Sequence, residues 1–298
     1  MLVNKLGEFG LIERIKKTIK TDESVVKGIG DDCAVIKLDK YNYGLFTCDM
    51  LVESVDFKPQ DEPYLIGRKA VAVSMSDIAA CGGLPRYCLV SLGIPKDTSV
   101  DKIDKIFYGI RSLSRIFKTN IVGGDISSSP VLTIDVSMLG IVEKKRLVLR
   151  NGAARGDMIF VTGRLGDSIS GRHLKFIPRI KEARFLVENF KVNAMIDISD
   201  GFAQDLGHIL KESNVGAIIY EDLLPKYRKS TSLESMLYGG EDYELLFTLP
   251  IGEAKKLLSS KLSIFTPVGH ITHNRFDLRL IDRKCRVKKI PFRGFRHF

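Results

Sequence analysis

The residues in this sequence with the clearest capacity for chemistry are aspartates that stand beside glycine or serine. Six segments share this pattern: Gly30-Asp-Asp32, Thr47-Cys-Asp49, Ser76-Asp77, Gly123-Gly-Asp125, Asp197-Ile-Ser-Asp-Gly201 and Gly239-Gly-Glu-Asp242. We expect each aspartate at a strand end or turn, where a scaffold can aim side chains into a shared cleft. Carboxylates gathered there repel one another and need a counterion, and oxygen ligands favour Mg²⁺ or Ca²⁺ over zinc. Each segment taken alone is more typical of an ordinary turn.

Other catalytic signatures are missing from the sequence. It has no Gly-x-x-x-x-Gly-Lys-Ser/Thr phosphate loop, no Gly-x-Gly-x-x-Gly after a strand, no His-Glu-x-x-His and no Gly-x-Ser-x-Gly. If the clustered acids bind Mg²⁺, phosphoryl transfer is the natural chemistry, because divalent ions offset the repulsion between two phosphate-bearing substrates. An acceptor phosphate is already an anion near pH 7, its second pKa being about 6. Such an acceptor needs no general base, so we expect no catalytic acid or base among the side chains.

The elements that must position these acids follow from hydrophobic periodicity and turn signals. The pattern predicts helices at 7–19, 62–80, 98–117, 180–190, 203–213 and 252–261, and strands at 33–38, 44–52, 86–94, 120–122, 131–142, 157–162, 194–198, 215–221 and 243–249, with short strands to the end. Helices and strands mix in both halves, which indicates an α/β or α+β fold. The basic stretch 143–146 and the turn-rich stretch 150–156 predict a boundary between domains 1–145 and 146–298.

Composition sets the class of protein. A chain of 298 residues, 44% hydrophobic and 28% charged, has room for two globular domains. Its five cysteines are an odd number and form no Cys-x-x-Cys pair, which favours a reducing cytoplasm. The N-terminus lacks the long apolar core of a signal peptide, and no apolar run approaches the ~20 residues of a membrane span. We therefore expect a soluble, cytoplasmic protein without a membrane partner.

The net charge of +10 is concentrated in one segment. Residues 251–298 hold twelve Lys/Arg and three Asp/Glu, a net charge of +9. Such a segment can bind a nucleic acid, an anionic membrane or a polyanionic substrate, or it can be the solvated face of a small sheet. Apolar residues alternate with these charges, so we expect a folded segment. A nucleic-acid-binding function would leave the aspartates of residues 1–250 without a role, and we expect no nucleic-acid partner.

Taken as a set, the motifs resemble the thiamine-monophosphate kinase family, a branch of the aminoimidazole ribonucleotide synthetase superfamily. The resemblance runs from about residue 7 to Phe298 and is carried by Gly7-Glu-Phe-Gly-Leu-Ile12, Gly28-Ile-Gly-Asp-Asp-Cys-Ala34, Asp49-Met-Leu-Val52, the segment 69–80, Gly123-Gly-Asp125, Arg150-Asn-Gly-Ala153, Gly163-Arg-Leu-Gly-Asp-Ser168, Asp197-Ile-Ser-Asp-Gly201 and Gly239-Gly-Glu-Asp-Tyr-Glu-Leu245. It implies a two-domain aminoimidazole ribonucleotide synthetase-like fold, and a homodimer formed by pairing the sheets of the N-terminal domains. It also implies direct transfer of the γ-phosphoryl group of ATP to thiamine monophosphate, with several Mg²⁺ ions.

The resemblance also implies roles for individual residues. The implied Mg²⁺ ligands are Asp32, Thr47, Cys48 (through its backbone), Asp49, Asp77, Asp125, Asp197 and, near the acceptor, Asp200. The implied ATP-binding residues are Phe107, Gly124, Asp125, Arg150 and Ser199. The implied substrate-binding residues are Asp56, Glu241 and Phe295, the last stacking on the thiamine ring.

Ordinary structural roles remain open for several of these residues. Phe107 lies on the apolar face of its predicted helix and could be a core residue, Arg150 could be a linker cation, and Glu241 could cap a turn. Phe295 could dock the C-terminus.

The sequence also departs from the family pattern. Cys48 stands where the family has Thr, Asp56 stands where His is common, and the segment after Gly171 is short. The alternative function is that of another ATP-dependent superfamily member, against which the Gly-Gly-Glu-Asp-Tyr-Glu-Leu segment argues.

Overall fold

The computed structural model describes residues 2–296 and contains two β-sheets, each formed by one part of the chain. The first sheet has six strands in the order β1-β2-β3-β6-β4-β5. Its strands are β1 Val25–Lys27, β2 Ala34–Lys37, β3 Asn42–Val52, β4 Leu84–Ile94, β5 Asn120–Ser128 and β6 Thr133–Glu143. Neighbouring strands are antiparallel except β4 and β5, which are parallel and so require a crossover connection.

Two helices cover one face of this sheet: α3 Pro63–Ala80 and α4 Val100–Ile116. Helix α3 begins with a proline at its first turn, where the missing N–H costs nothing, and ends before Gly82, which adopts φ +72°. The two helices cross in backbone contact, because a Cβ atom on Gly67 would lie 1.9 Å from the carbonyl oxygen of Ile106. This close packing fixes the helix that carries Ser74, Ser76 and Asp77.

The opposite face of the first sheet, which we call the open face, exposes apolar side chains. It carries Phe46, Cys48 and Met50 of β3, Leu89 of β4 and the edge strand β5. Met50 is 59% exposed and Leu89 is 47% exposed. Contiguous apolar surface of this kind is typical of an interaction face.

The second sheet has seven strands in the order β13-β12-β9-β11-β7-β10-β8. Its strands are β7 Met158–Thr162, β8 Ala194–Asp197, β9 Gly216–Tyr220, β10 Leu245–Leu249, β11 Phe265–Thr272, β12 Leu278–Ile281 and β13 Val287–Lys289. Along β7, Phe160 joins the core shared with α3, whereas Ile159 and Val161 join a core under helix α6 Phe202–Ser213. Strands buried on both faces read as continuous apolar runs, as β7, β8 and β10 do.

The remaining helices are short. They are α1 Val3–Leu6, α2 Glu8–Lys16, α5 Ile180–Asn189, α7 Leu233–Tyr238 and α8 Ile251–Ser259. Helix α5 and strand β8 both contact α3, so α3 lies between the two sheets. In the described residues 2–296, no helix has the length and apolar character needed to span a membrane.

The sequence predicted most elements within a few residues, with four exceptions. Strand β1 and helices α1 and α7 were missed, and β5 extends to Ser128 although the pattern ended it at residue 122. Strand β5 continues through Gly124 because its backbone lies against β4: a Cβ atom at Gly124 would lie 1.8 Å from the carbonyl oxygen of Val90. The Gly-Gly-Asp segment therefore lies within an edge strand, and the predicted turn there is wrong.

The prediction of strand ends or turns is wrong for two further aspartates. Asp49 lies within β3, and Asp77 lies inside α3. Both positions are regular, so their side-chain directions are set by the sheet and by the helix.

The basic C-terminal segment is folded, as predicted. It forms β11, β12 and β13, and several of its cations pair with acids. Arg286 and Lys288 lie 2.8 and 3.0 Å from Asp282, and Arg283 lies 3.0 Å from Asp222. These ion pairs hold the three basic side chains at the sheet surface.

Candidate active site

Three aspartates from distant parts of the chain meet between the two sheets. Carboxylate oxygens of Asp32, Asp77 and Asp197 all lie within 4.8 Å of one another. Asp32 comes from the loop before β2, Asp77 from α3 and Asp197 from the end of β8. We call these residues, together with the neighbouring Asp49, the carboxylate cluster. The convergence that the sequence could only anticipate is therefore present in the fold.

Hydroxyl groups hold the carboxylate cluster in place. Ser74 donates to Asp49 at 2.7 Å, Ser76 donates to Asp197 at 2.5 Å, and Thr47 donates to Asp77. The sequence analysis missed Ser74 and Ser76, although the Ser-x-Ser-Asp spacing beside a predicted ligand is a usable signal. Fixed hydroxyl donors orient carboxylates before any ligand arrives.

The cluster is electrostatically costly without a cation. Burial, and then the charge of Asp32, raise the pKa of Asp197 to about 8. Burial also raises the pKa of Asp49 to about 6, and burial with the charges of Asp49 and Asp197 raises the pKa of Asp77 well above its usual range. Carboxylates that share a buried site hold protons unless a positive charge replaces them.

The donor set fits a hard divalent cation. Every donor in the cluster is an oxygen, and among residues 2–296 no group hydrogen-bonds to the buried Oδ2 of Asp32. An orphaned buried carboxylate oxygen is a group that a cation would satisfy. The residues present therefore fit Mg²⁺.

Arg150 approaches the cluster from the domain connection. Its guanidinium donates to Oδ1 of Asp32 at 2.8 Å, and its backbone N–H lies 3.3 Å from the Asp31 carboxylate. Burial, and then the charge of Asp32, raise the pKa of Asp31 to about 7. Arg150 is thus fixed in the site by its ion pair with Asp32 and its backbone hydrogen bond to Asp31, and is not a free linker cation.

Two clefts open on either side of the cluster. The smaller cleft, about 490 Å³, is lined by Asp49, Asp56, Glu241 and Phe295 among others. The larger cleft, about 850 Å³, is lined by Asp32, Thr47, Cys48 and Arg150 among others. Ser199 and Asp200 line both clefts. Seven of the predicted metal or nucleotide residues and all three predicted substrate residues therefore lie on these walls.

Asp56 has a structural bond as well as its place in the smaller cleft. Its carboxylate accepts a hydrogen bond from the backbone N–H of Val52 at 2.8 Å and so closes the turn after β3. Phe295, 42% exposed, is held by its backbone N–H, which donates to the carbonyl of Asp200 at 2.8 Å. The following residues His297 and Phe298, at the end of the resemblance, lie outside the described residues.

Asp200 has acidic and imidazole neighbours. Ligand atoms of Asp200, Asp205 and His208 lie within 4.8 Å of one another. Asp205 accepts hydrogen bonds from the backbone N–H groups of Asp200 and Gly201, so it orders the start of α6. Burial, with the charge of Arg150, lowers the pKa of His208 to about 3, and the imidazole is neutral.

The structure does not bring every predicted residue to the cluster. Asp125 and Gly124 are exposed on the edge strand β5, and the register with Ser91 places Asp125 on the open face of the first sheet. Phe107 is half-buried and packs against the core, in keeping with the alternative left open for it. None of the three lines either cleft.

Asp242, in the sixth acidic segment, does not join the cluster. Its carboxylate accepts from the backbone N–H of Gly166 at 2.9 Å and from Ser168, and it pairs with Arg172. These bonds fasten residues 166–172 to the loop before β10. The expectation that Asp242 lies in a cleft is wrong, because its carboxylate is buried and already pairs with Arg172.

Comparison with known proteins agrees with the geometry. Residues 30–142 match the family domain described as "AIR synthase related protein, N-terminal domain", and residues 167–280 match the corresponding C-terminal domain. The thiamine-monophosphate kinase of Buchnera aphidicola subsp. Schizaphis graminum is 38% identical, with 98% of this chain and 99% of that protein covered. That of Aquifex aeolicus is 34% identical over the full length of both.

The chain belongs to the thiamine-monophosphate kinase family. The solved structure of AaThiL complexed with AMPPCP and TMP superposes with a TM-score of 0.88 at 33% identity, covering 100% of this chain and 99% of that one. The hydrogenase maturation protein HypE in complex with ATP, at 16% identity and a TM-score of 0.73, shares the fold. Both the predicted family and the predicted two-domain fold are confirmed.

Proposed function

We propose that this member of the thiamine-monophosphate kinase family transfers the γ-phosphoryl group of ATP to thiamine monophosphate, giving thiamine diphosphate and ADP. The observation that carries the proposal is the carboxylate cluster between two clefts that share Ser199 and Asp200. Two substrates bound in these clefts would meet at the cluster. Family membership supports the identity of both substrates.

The proposed Mg²⁺ ligands follow from the positions found. Asp32, Asp49, Asp77 and Asp197 hold the ions in the cluster, Thr47 and the backbone of Cys48 complete the shell, and Asp200 serves a further ion near the acceptor. Mg²⁺ bound there offsets the mutual repulsion of the two phosphate-bearing substrates and the charge that develops on the transferring group.

The side chains themselves bind and orient the reactants. Arg150 and Ser199 contact the nucleotide from the larger cleft, with Phe107 and Gly124 as further nucleotide residues. Asp56, Glu241 and Phe295 hold thiamine monophosphate in the smaller cleft. The acceptor phosphate is already anionic, so orientation and charge balance suffice and no side chain has to remove a proton.

The position of Asp125 supports a homodimer in which each active site takes residues from both subunits. Asp125 is in register with Ser91, Asp135 and Met50 across three strand spacings, about 14 Å from β3. It points to the open face, whereas Asp49 points to α3. Within one chain Asp125 therefore cannot join the Mg²⁺ ligands of the cluster.

A second copy laid against the open face would supply the missing ligand. The larger cleft continues onto that face, since Phe46, Cys48 and Ser137 line it. We propose that the N-terminal domain, residues 1–145, pairs its sheet in the dimer, and that the partner subunit's Asp125 completes the metal site. Residues 146–298 form the substrate-binding domain.

The proposed location is the cytoplasm. Cys33, Cys81 and Cys88 are buried as free thiols, which is typical of proteins in a reducing compartment.

The reaction can be tested directly. Incubation of the protein with ATP, Mg²⁺ and thiamine monophosphate is expected to give thiamine diphosphate and ADP in equal amounts by chromatography. A parallel incubation with excess EDTA should give neither product, because the cluster then lacks its counterions. Release of inorganic phosphate as the sole product would contradict the proposed acceptor, and turnover in EDTA would contradict the metal role.

Replacing Phe295 with alanine tests the acceptor side. Loss of a stacked, partly exposed aromatic on a cationic ring removes about 1–2 kcal/mol, so KM for thiamine monophosphate should rise about 5- to 30-fold. KM for ATP should stay within about twofold, since Phe295 lines only the smaller of the two clefts. Phe276→Ala is the matched control: Phe276 is 47% exposed and lines neither cleft. Equal effects on both substrates would remove the stacking role.

A further inference from the structure

Lys69 is a buried lysine that the roles assigned so far do not use. It lies in α3, its side chain is 0% exposed, and Nζ donates to the backbone carbonyl of Asp56 at 2.6 Å. Nζ also donates to Oε1 of Glu241 and lies 3.0 Å from Nδ1 of His173. An ammonium group has three N–H donors, and the Asp56 carbonyl and the Glu241 carboxylate take two of them.

The three partners come from separate walls of the smaller cleft. Asp56 lies in the turn after β3, His173 in a short 3₁₀ turn at 172–174, and Glu241 in the loop between α7 and β10. Lys69 reaches all of them from α3, which packs between the two sheets. One buried cation therefore ties both domains together beneath the cleft.

Glu241 depends on outside support for its position. Its backbone has φ +64°, in the left-handed region that a residue other than glycine occupies only when its surroundings hold it. Its second carboxylate oxygen, Oε2, lies 3.0 Å from Nδ1 of His173. Burial alone would raise the pKa of Glu241, but the His173 hydrogen bond and the charge of Lys69 outweigh it and hold the pKa below its ordinary value. The carboxylate is thus kept ionised and fixed.

We propose that Lys69 is a positioning residue for the acceptor, which sets the carboxylate of Glu241 against thiamine monophosphate. Lys69 lines neither cleft and acts through Glu241. This inference rests on the proposed function, in which Glu241 binds thiamine monophosphate. Side chains locked by buried partners hold a binding group in its productive geometry, and loss of that lock weakens binding of the ligand that uses it.

The test is Lys69→Met, which keeps the length of the side chain and removes its charge. KM for thiamine monophosphate should rise at least about tenfold, while KM for ATP stays within about twofold. Lys105→Met is the matched control, because Lys105 is exposed on α4 and, within residues 2–296, forms an ion pair only with the exposed Asp101, at 2.7 Å. It should behave as the unchanged protein. An unchanged KM for thiamine monophosphate in Lys69→Met, or an equal rise for both substrates, would overturn the proposal.

A double variant separates positioning from folding. If Lys69 acts through Glu241, adding Lys69→Met to Glu241→Gln should change KM for thiamine monophosphate by less than about twofold. The same tenfold factor in both backgrounds would overturn the proposal. If Lys69→Met alone does not fold, the role of Lys69 is tested by comparing KM for thiamine monophosphate between Glu241→Gln and the double variant. An unfolded double variant would make Lys69 structural and would also overturn the proposal. Failure of the unchanged protein to form thiamine diphosphate would instead count against the proposed function.

Discussion

Replacing Asp77 with asparagine is expected to lower kcat at least about 10³-fold, the scale on which groups that balance charge in phosphoryl transfer contribute. Carboxylate oxygens of Asp77 lie within 4.8 Å of those of both Asp32 and Asp197. Asparagine at this position supplies one neutral amide oxygen in place of the two oxygens of an anionic carboxylate. Fewer negative charges hold the cations less well, and the repulsion between the two phosphate-bearing substrates is no longer offset. The measurement is steady-state formation of thiamine diphosphate at saturating Mg²⁺.

The same variant should be as stable as the unchanged protein in the absence of Mg²⁺, or more stable. Burial and the neighbouring charges of Asp49 and Asp197 raise the pKa of Asp77, which shows that its ionised form is disfavoured in the fold. Removing that charge relieves repulsion, so Tm in EDTA should not fall. Asp104→Asn, at an exposed position on α4, is the matched control and should keep both activity and Tm. Activity of Asp77→Asn close to that of the unchanged protein would refute the metal role of the cluster.

Mixed dimers of two inactive variants are expected to regain activity. In the proposed dimer each site takes Asp77 from one subunit and Asp125 from its partner. A heterodimer of Asp77→Asn and Asp125→Asn then has one site without either carboxylate and one site with both. Random pairing of equal amounts makes half of the dimers mixed, so about one quarter of the unchanged activity should return.

The experiment needs the two variants expressed together with different affinity tags, and each variant alone as the baseline. Tandem purification of the mixed species should give about half of the unchanged activity per dimer, because one of its two sites is intact. If the mixed dimers are as inactive as the separate variants, the shared site is wrong. Asp125 then either acts in the same site as Asp77 of its own subunit or has no role in the reaction. A monomer in sedimentation analysis would refute the shared site itself.

Much of this architecture could be predicted from local sequence. Strands buried on both faces, such as β7 and β10, are continuous apolar runs, and α4 has the spacing of a helix that buries one side. Elements whose signals are weak were missed. Strand β1 has three residues, and the hydrogen bonds that extend β5 past Gly123 come from β4, about 30 residues earlier in the chain. Pairing of that kind has no local signature.

The sequence by itself determined the chemistry available: oxygen ligands in six acidic segments, no nucleophilic triad and the motifs of one kinase family. Residue type and spacing are enough to determine this chemistry, because they limit which ions and groups the protein can bind. The tertiary structure alone decided which acids meet. It gathered Asp32, Asp77 and Asp197 within 4.8 Å, committed Asp242 to Arg172, and left Asp125 on the opposite face of the first sheet from Asp49. Strand register and helix packing set these directions, and both depend on contacts between residues far apart in the chain.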